Sequence, residues 1–464
     1  MTATYDELRA RQQERLGELM PEMLSAIDLG HDQLAEVRRR RLRVLLGVTT
    51  TRSAWHARRL AGLDLETISP DDLSSLPTMT KNDLLTNFDS IVTDARLTRG
   101  RVEAHLTQLD SDRYLDGRFH ALASGGSSGV RGIFVHDEDA FVYGQISMIR
   151  FAERASSGRP SEPDGRWVTT VVAGDRASHA SAAAAATFDS EQRPMHSVPA
   201  TLPIDDIAAA LDVQQPNLLA GYPSVLARLA RRAHSGDLTI RPKLILSTAE
   251  PLTEPLEATI RGAWGVPILN VWGMSECGAA AVTCLVGGGM HLSDDFTIIE
   301  PVDSAGRRVP DGAESDKVLV TNLMSFAQPL IRYEVDDRVT PIGGPCPCGS
   351  AFGRIAAISG RSSDVFSYPG NLTVHPVVFW SSLGQIPEIS EYQVYQTLAG
   401  VRASVVVDGT VDPTAITRRV EQGLRIAGLM DPIVELSVVD RIARGPAGKL
   451  RRFVPLANVP TEWP

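Results

Sequence analysis

The sequence predicts an α/β protein with a large multi-layer N-terminal region and a small α+β C-terminal domain. Three observations lead there. At 464 residues the chain is about three times a typical ~150-residue domain, enough for more than one hydrophobic core. Through its middle, β-branched apolar runs ending in glycine or polar turns alternate with helical segments, the pattern of buried strands in a layered, largely parallel sheet. After about Gly360 the character changes to a small βαβ-like unit of about 100 residues.

Taken in order, Tyr5 to Leu63 is rich in Arg, Leu, Glu and Ala at helical apolar spacing, which predicts a helical lead-in within residues 1–75. Its run Arg38-Arg39-Arg40-Arg41 reads as the solvated face of an amphipathic helix rather than a nucleic-acid patch. Trp167 to Gly174 (WVTTVVAG), Lys243 to Ser247 (KLILS) and Val266 to Trp272 (VPILNVW) read as strands. The alanine-rich Ser181 to Ala186 predicts close helix packing. The tail holds strands at Glu391 to Tyr395 (EYQVY), Ala403 to Val407 (ASVVV) and Ile433 to Val439 (IVELSVV), with a helix from Pro413 to Ala427. A hinge is expected just after Arg361, in Ser362-Ser363-Asp364, dividing 1–360 from 361–464.

Hydrophobic residues at 43% and charged residues at 22% are ordinary for a globular protein. The net charge of −10 gives no electrostatic reason to bind nucleic acid or an anionic membrane. No window holds ~18 uninterrupted apolar residues, and Met1 to Arg11, with Asp6 and Glu7, lacks a signal-peptide core. The expectation is a cytoplasmic protein. Only four cysteines occur, and in a reducing compartment Cys346 and Cys348 read as metal ligands rather than a disulfide.

The sharpest local signal is Ser124-Gly125-Gly126-Ser127-Ser128-Gly129-Val130-Arg131-Gly132 after apolar Ala121-Leu122-Ala123. Its glycines let the backbone approach an anion, and its amides and hydroxyls suit phosphate oxygens. Glycine-serine turns are also common linkers, and the Gly-Lys-Ser/Thr ending of a P-loop is absent. Two strand ends, Lys243 to Leu252 (KLILSTAEPL) and Val271 to Gly278 (VWGMSECG), then present Thr248, Glu250, Trp272, Ser275 and Glu276 at a rim. Gln328 to Arg338 (QPLIRYEVDDR) adds two aspartates, followed by Gly360-Arg361 and Arg444 to Arg452 (RGPAGKLRR).

In order and spacing these segments resemble the adenylate-forming superfamily of acyl-CoA synthetases, in particular its phenylacetate-CoA ligase-like branch, over nearly the whole chain. Leu76 to Leu84 (LPTMTKNDL) is similar to that branch's entry signature. Ser124 to Gly129 corresponds to the phosphate loop and Ala249-Glu250-Pro251 to the segment flanking adenine. Trp272-Gly273-Met274-Ser275-Glu276 corresponds to Tyr-Gly-x-Thr-Glu, and Arg332-Tyr333 through Asp337 to Arg-Tyr-x-x-x-Asp. Gly360-Arg361 matches the hinge arginine and Gly448-Lys449 the C-terminal lysine. Ser127-Ser128 stand where threonines are common, Val130-Arg131 where Lys-Pro is usual, and Ser363 where an acidic hinge residue is usual.

The resemblance implies a task for each residue. Asp337 accepts bonds from ribose hydroxyls, and Trp272 stacks on adenine. Glu276 holds Mg²⁺, while Ser275 and the amides of Gly126 to Gly129 contact phosphate. Lys449 stabilises charge developing at the α-phosphate, and Arg361 contacts the nucleotide near the hinge. Each residue also has a plainer reading. Trp272 can be core, Glu276 and Asp337 can cap helices or make surface pairs, and Arg444, Lys449, Arg451 and Arg452 can form a solvated basic tail.

Cys346-Pro347-Cys348-Gly349 resembles a metal knuckle, and Cys284 and His291 flank the glycine-rich Leu285 to Met290. Together they form a Cys₃His set, and the resembled branch includes members with such a structural Zn²⁺ site. The plainer reading makes Cys284 a buried apolar residue and His291 a surface or active-site histidine. Cys277 reads as a small packing residue. The acid is expected beside Gly221-Tyr222-Pro223-Ser224, near Ala249, with Phe141, Tyr143 and His179 as walls suited to an aryl or arylacetic acid.

The implied reaction is ATP-dependent activation of a small-molecule carboxylic acid to an acyl-AMP, then acyl transfer to the thiol of CoA, with residues 361–464 as a mobile lid. One alternative is delivery to a carrier-protein phosphopantetheine or an amine; another is a non-catalytic sensor or scaffold. The oligomeric state is left open, a homodimer included.

Overall fold

The computed structural model describes residues 4–123, 132–156, 166–174, 177–361, 364–370, 372–374, 376–384, 386, 388–445 and 449–456. The lead-in is helical, with α1 (Tyr5–Ser25), α2 (His31–Arg52) and α3 (Ala54–Arg59). A capping box starts α1: the Thr4 hydroxyl accepts from the Glu7 N–H at 3.3 Å, and the Glu7 carboxylate accepts from the Thr4 N–H at 2.7 Å. The arginine run is not uniformly solvated. Arg39 pairs with Glu36 on the surface, but Arg41 turns inward to the Asp295 carbonyl and lies 5.4 Å from the Phe296 ring centre. Its register puts it beside Leu42 and Leu45, which are buried.

Short helices α4 (Lys81–Thr86), α5 (Phe88–Ile91) and α6 (Arg99–Gln108) lead to an antiparallel hairpin, β1 (His120–Ala123) and β2 (Ile133–His136), whose connection is the glycine-rich loop. A repeated helix–strand succession follows: α7 (Glu138–Ser156), β3 (Thr169–Ala173), α8 (Ala180–Phe188), β4 (Met195–Pro199), α9 (Ile204–Gln214), β5 (Leu218–Gly221), α10 (Pro223–Ser235), β6 (Leu244–Thr248), α11 (Glu254–Trp264) and β7 (Ile268–Met274). The three strands expected from their β-branched runs are β3, β6 and β7.

Then come β8 (Gly278–Thr283), β9 (Met290–Leu292), β10 (Thr297–Val302), β11 (Lys317–Asn322), β12 (Tyr333–Val335), β13 (Asp337–Ile342) and β14 (Arg354–Arg361). The main sheet has nine strands in the order β13-β14-β9-β8-β7-β6-β5-β3-β4. The expected largely parallel sheet is parallel only from β4 to β7; beyond β7 every pairing is antiparallel. The reason is local: β7 and β8 are joined by a tight turn, which reverses the chain with no room for a crossover helix.

The tail holds β15 (Phe366–Tyr368), β16 (Leu372–Val374), α12 (Val377–Ser382), β17 (Ile389–Thr397), β18 (Gly400–Val407), α13 (Pro413–Ile426), β19 (Ile433–Val438) and β20 (Phe453–Val454). Its four-stranded sheet runs β19-β18-β17-β20, and the expected βαβ unit is β18-α13-β19. Among the described residues, its core cluster, with Phe366, Phe379, Val394, Val405 and Val420 at its centre, draws on residues from Phe366 onward. It therefore has a hydrophobic centre separate from that of the main sheet.

Candidate active site

A cavity of about 1510 Å³ lies where β6 and β7 end, between the main sheet and the tail. Thr248 to Pro251, Trp272 to Gly278, Asp336, Asp337 and Lys449 all line it. Residues from four separate motifs thus share one space. Lys81, in the segment Leu76 to Leu84, lines it too. Backbone bonds explain how that segment arrives: the Met79 N–H donates to the Arg332 carbonyl at 2.9 Å, and the Glu334 N–H to the Met79 carbonyl at 2.8 Å.

The turn from Ser275 to Gly278 is held from three sides. The imidazole Nε2 of His136 stands 2.9 Å from the Ser275 carbonyl, which can only accept, so Nε2 carries the proton. Asn322 donates its amide to the Glu276 carbonyl at 2.8 Å, and the Ser147 hydroxyl accepts from the Ala279 N–H at 2.8 Å. Gly278 has φ +81°, and a Cβ there would lie 2.6 Å from the Ser147 hydroxyl, so only glycine fits. Burial holds His136 neutral, with its pKa pushed down to about 4. Sequence reading missed His136, Asn322 and Ser147. The signal for His136 was a polar residue closing the apolar run Ile133 to Val135 just after the glycine-rich loop.

Trp272 is 5% exposed and packs with Ala280, Met290 and Ile299, although it also lines the cavity. Its indole N–H donates to the Asp337 carboxylate at 2.8 Å, so the plainer core reading applies to it in part. Neither Glu276 nor Asp337 caps a helix: Glu276 lies in the turn and Asp337 starts β13. Asp337 is the register partner of Arg361, which brings the aspartate and hinge motifs side by side. Ala249 adopts φ +67°, a left-handed conformation unusual for a residue with a Cβ, at the turn after β6. Ser124 to Gly129, Val130-Arg131, Ser362-Ser363 and Gly448 lie outside the described residues.

Of the expected acid-pocket walls, Phe141, Tyr143, His179 and Tyr222 line the cavity. Gly221 and Pro223 do not: Gly221 is closed in by the Val172 carbonyl, 2.9 Å from where a Cβ would stand, and Pro223 opens α10. Arg444 is no solvated tail residue either. Its side chain is 9% exposed, between Glu250 and Glu391.

Cys284, His291, Cys346 and Cys348 converge, with one ligand atom from each lying within 4.8 Å of the others. The Cys284 and Cys346 sulfurs are 3.6 Å apart, too far for a disulfide. His291 Nε2 is 3.2 Å from the Cys348 sulfur, and its Nδ1 is 3.2 Å from the Phe352 carbonyl. A backbone acceptor on Nδ1 leaves Nε2 as the ligand nitrogen, the usual support for a metal-binding imidazole. Gly287 permits the approach, since a Cβ there would meet the Cys346 sulfur at 2.5 Å. Three thiols and one imidazole fit a closed tetrahedral Zn²⁺ site. Cys277 stands apart: burial, with the Glu276 carboxylate next to it, pushes its thiol pKa up, which suits packing and not nucleophilic attack.

Among solved structures, a 2-hydroxyisobutyryl-CoA ligase in the postadenylation state, in complex with R3-HIB-AMP, matches over 93% of this chain and 91% of its own, with TM-score 0.71 and 20% identity. The chain therefore shares the fold of that CoA ligase. Its relatives by sequence include phenylacetate-coenzyme A ligases. The phenylacetate-coenzyme A ligase of Thermus thermophilus is 30% identical over 178 residues, 37% of this chain and 40% of that protein. That of Pseudomonas putida is 28% identical over 221 residues, 46% of this chain and 48% of that protein. The chain thus spans about half or less of the length of these curated relatives. No family model matches it.

Proposed function

We propose that the protein activates a carboxylic acid with ATP to an acyl-AMP and pyrophosphate, then transfers the acyl group to the thiol of CoA. The observation that carries this reading is that one cavity is lined jointly by Ala249 to Pro251, Trp272 to Gly278, Asp337 and, from the tail, Lys449. Asp337 binds ribose hydroxyls with the carboxylate that Trp272 orients, and the adenine lies along the backbone of Ala249 to Pro251 and the Trp272 ring. Ser275 and the loop Ser124 to Gly129 bind phosphate oxygens. Glu276, its backbone fixed by Asn322, is the carboxylate that would hold Mg²⁺, which would supply positive charge to the phosphates. Lys449 places its ammonium against the charge that develops when the acid's carboxylate attacks the α-phosphate, and Arg361 contacts the nucleotide at the hinge between 1–360 and 361–464.

The acid is aryl or arylacetic. Phe141, Tyr143 and Tyr222 give the cavity an aromatic wall suited to such a group, and His179 stands with them. The Cys284, His291, Cys346 and Cys348 set holds a structural Zn²⁺ with no position left for substrate. Acid-dependent exchange of pyrophosphate into ATP, over a panel including benzoate and phenylacetate, tests the function. Exchange with an aryl acid supports it, and absence of exchange with every acid refutes it.

A further inference from the structure

Glu250 sits in the segment that resembles an adenine-flanking motif, yet its carboxylate is spent on the tail. One oxygen accepts from the Leu450 N–H at 2.9 Å and stands 3.7 Å from the Arg444 guanidinium; the other stands 3.4 Å from the Ser224 N–H. Arg444 and Leu450 bracket Lys449 in the chain. The Gly445 N–H donates to the Lys449 carbonyl at 3.1 Å, closing the neck between them. Glu250 therefore grips both stems of the segment that delivers the lysine.

The grip belongs to a wider network across the same boundary. Arg444 also binds Glu391 on β17 and donates to the Ser224 hydroxyl at 3.2 Å. Arg228 lies 3.8 Å from Glu391, and Arg231 lies 3.2 Å from Asp408. Ser224, Arg228 and Arg231 are spaced i, i+4 and i+7, one polar stripe of α10, whereas Val225, Leu226 and Leu229 on its other side are fully buried. The chain Glu250–Arg444–Glu391–Arg228 alternates in sign, so each buried charge has an opposite neighbour. When the tail rotates away, Arg444 keeps Glu391, and Glu250 and Arg228 both stay on the main body. Neither half is left with one sign of charge, which suits a contact that must open and close reversibly.

We infer that Glu250 and Arg444 are positioning residues: they latch the tail in the arrangement that presents Lys449 to the cavity, and so serve the adenylation half-reaction and not acyl transfer. The inference rests on the proposed reaction, and its test separates the two half-reactions in the full chain. With phenylacetate, or the aryl acid giving the fastest wild-type exchange, Glu250→Ala and Arg444→Met should each lower the kcat of ATP–pyrophosphate exchange by about 100-fold, the cost of misplacing a catalytic group by about 1 Å. The ATP KM should stay within about twofold, and CoA-dependent discharge of the supplied synthetic acyl-AMP should keep the wild-type rate. Glu250→Gln, which still accepts from Leu450 but offers Arg444 no charge, should fall in between.

A raised ATP KM at unchanged kcat would make Glu250 a nucleotide contact and overturn the latch. An equal fall in both half-reactions, with lowered thermal stability, would make it merely structural and overturn it as well. Small-angle scattering needs no substrate. A larger maximum dimension for Glu250→Ala and Arg444→Met than for wild type supports the latch, and identical curves overturn it even if the assigned reaction is wrong.

Discussion

Lys449 reaches the cavity from a chain segment 88 residues beyond Arg361, and its ammonium there acts by charge. It belongs to none of the hydrophobic core clusters among the described residues. Lys449→Ala should therefore abolish acyl-AMP formation while the variant stays folded and still discharges a supplied acyl-AMP to CoA. Pyrophosphate exchange at the wild-type rate would contradict the assignment. His136 shows how burial and function meet in one side chain. Burial lowers its pKa from 6.5 to about 4, so between those values the folded state binds fewer protons than the unfolded one. Its contribution to stability is complete above about pH 6.5 and falls as the pH drops towards 4, by about 3 kcal/mol at most. His56 is shifted the same way, also to about 4, and adds to the loss. Denaturant unfolding followed from pH 7 to 4 should show the decline, and His136→Gln, which keeps a donor for the Ser275 carbonyl but does not titrate, should flatten it. Equal slopes would count against a buried neutral His136. The residue types at the site were legible because their chemistry is local. That Trp272 spends its N–H on Asp337 was not, since 65 residues separate them and only the β7 and β13 ends bring them together.

At the scale of elements, the four candidate metal-binding side chains sit on two loops, which Arg354 also joins through the Gly287, Gly343, Gly344 and Pro345 carbonyls. Cys284 and His291 come from the connection before β9 and its first residues, and Cys346 and Cys348 from the connection between β13 and β14. Purified without chelator, the protein should contain about one equivalent of zinc, and Cys348→Ser should lose metal and stability together, because metal binding is coupled to order in both loops. Activity should fall indirectly, since one loop follows Glu276 and the other Asp337. Absence of stoichiometric zinc, with Cys346 and Cys348 freely reactive towards thiol reagents in the folded protein, would refute the site. Periodicity exposed the strands β3, β6 and β7 and the unit β18-α13-β19. It did not expose the antiparallel half of the sheet, because strand direction follows from the connection between strands and not from the strand's own residues.

Across the whole molecule, a buried ion pair ties the lead-in, α7 and the connections β9–β10 and β13–β14 to one point. Arg150 and Asp295 are both 0% exposed and meet through two bonds of 2.7 Å. Arg41 of α2 approaches the same aspartate, and the Arg150 guanidinium lies 4.4 Å from the Phe296 ring centre and 5.3 Å from that of Phe352. Arg150→Met should cost about 3–5 kcal/mol, because it leaves a buried carboxylate short of its partner. The double variant Arg150→Met/Asp295→Leu should recover much of that loss, as measured by chemical denaturation. A single variant as stable as wild type would show that Arg41 alone satisfies Asp295.

The sequence by itself determined the chemistry available: a glycine-serine loop, carboxylates at strand ends, a late lysine, and three thiols with a histidine. Those properties belong to single residues and short spacings, where propensity and periodicity act. Only the tertiary structure decided which groups meet. Gly221 and Pro223 were excluded from the cavity by close packing against the Val172 carbonyl and by the start of α10. Arg444 was drawn out of solvent because two buried carboxylates, one on each side of the boundary, await its charge. Glu250 finds its partner 200 residues further on, at Leu450, because burial of a charged group is tolerated only where the folded chain brings it donors, and no local pattern encodes where those donors come from.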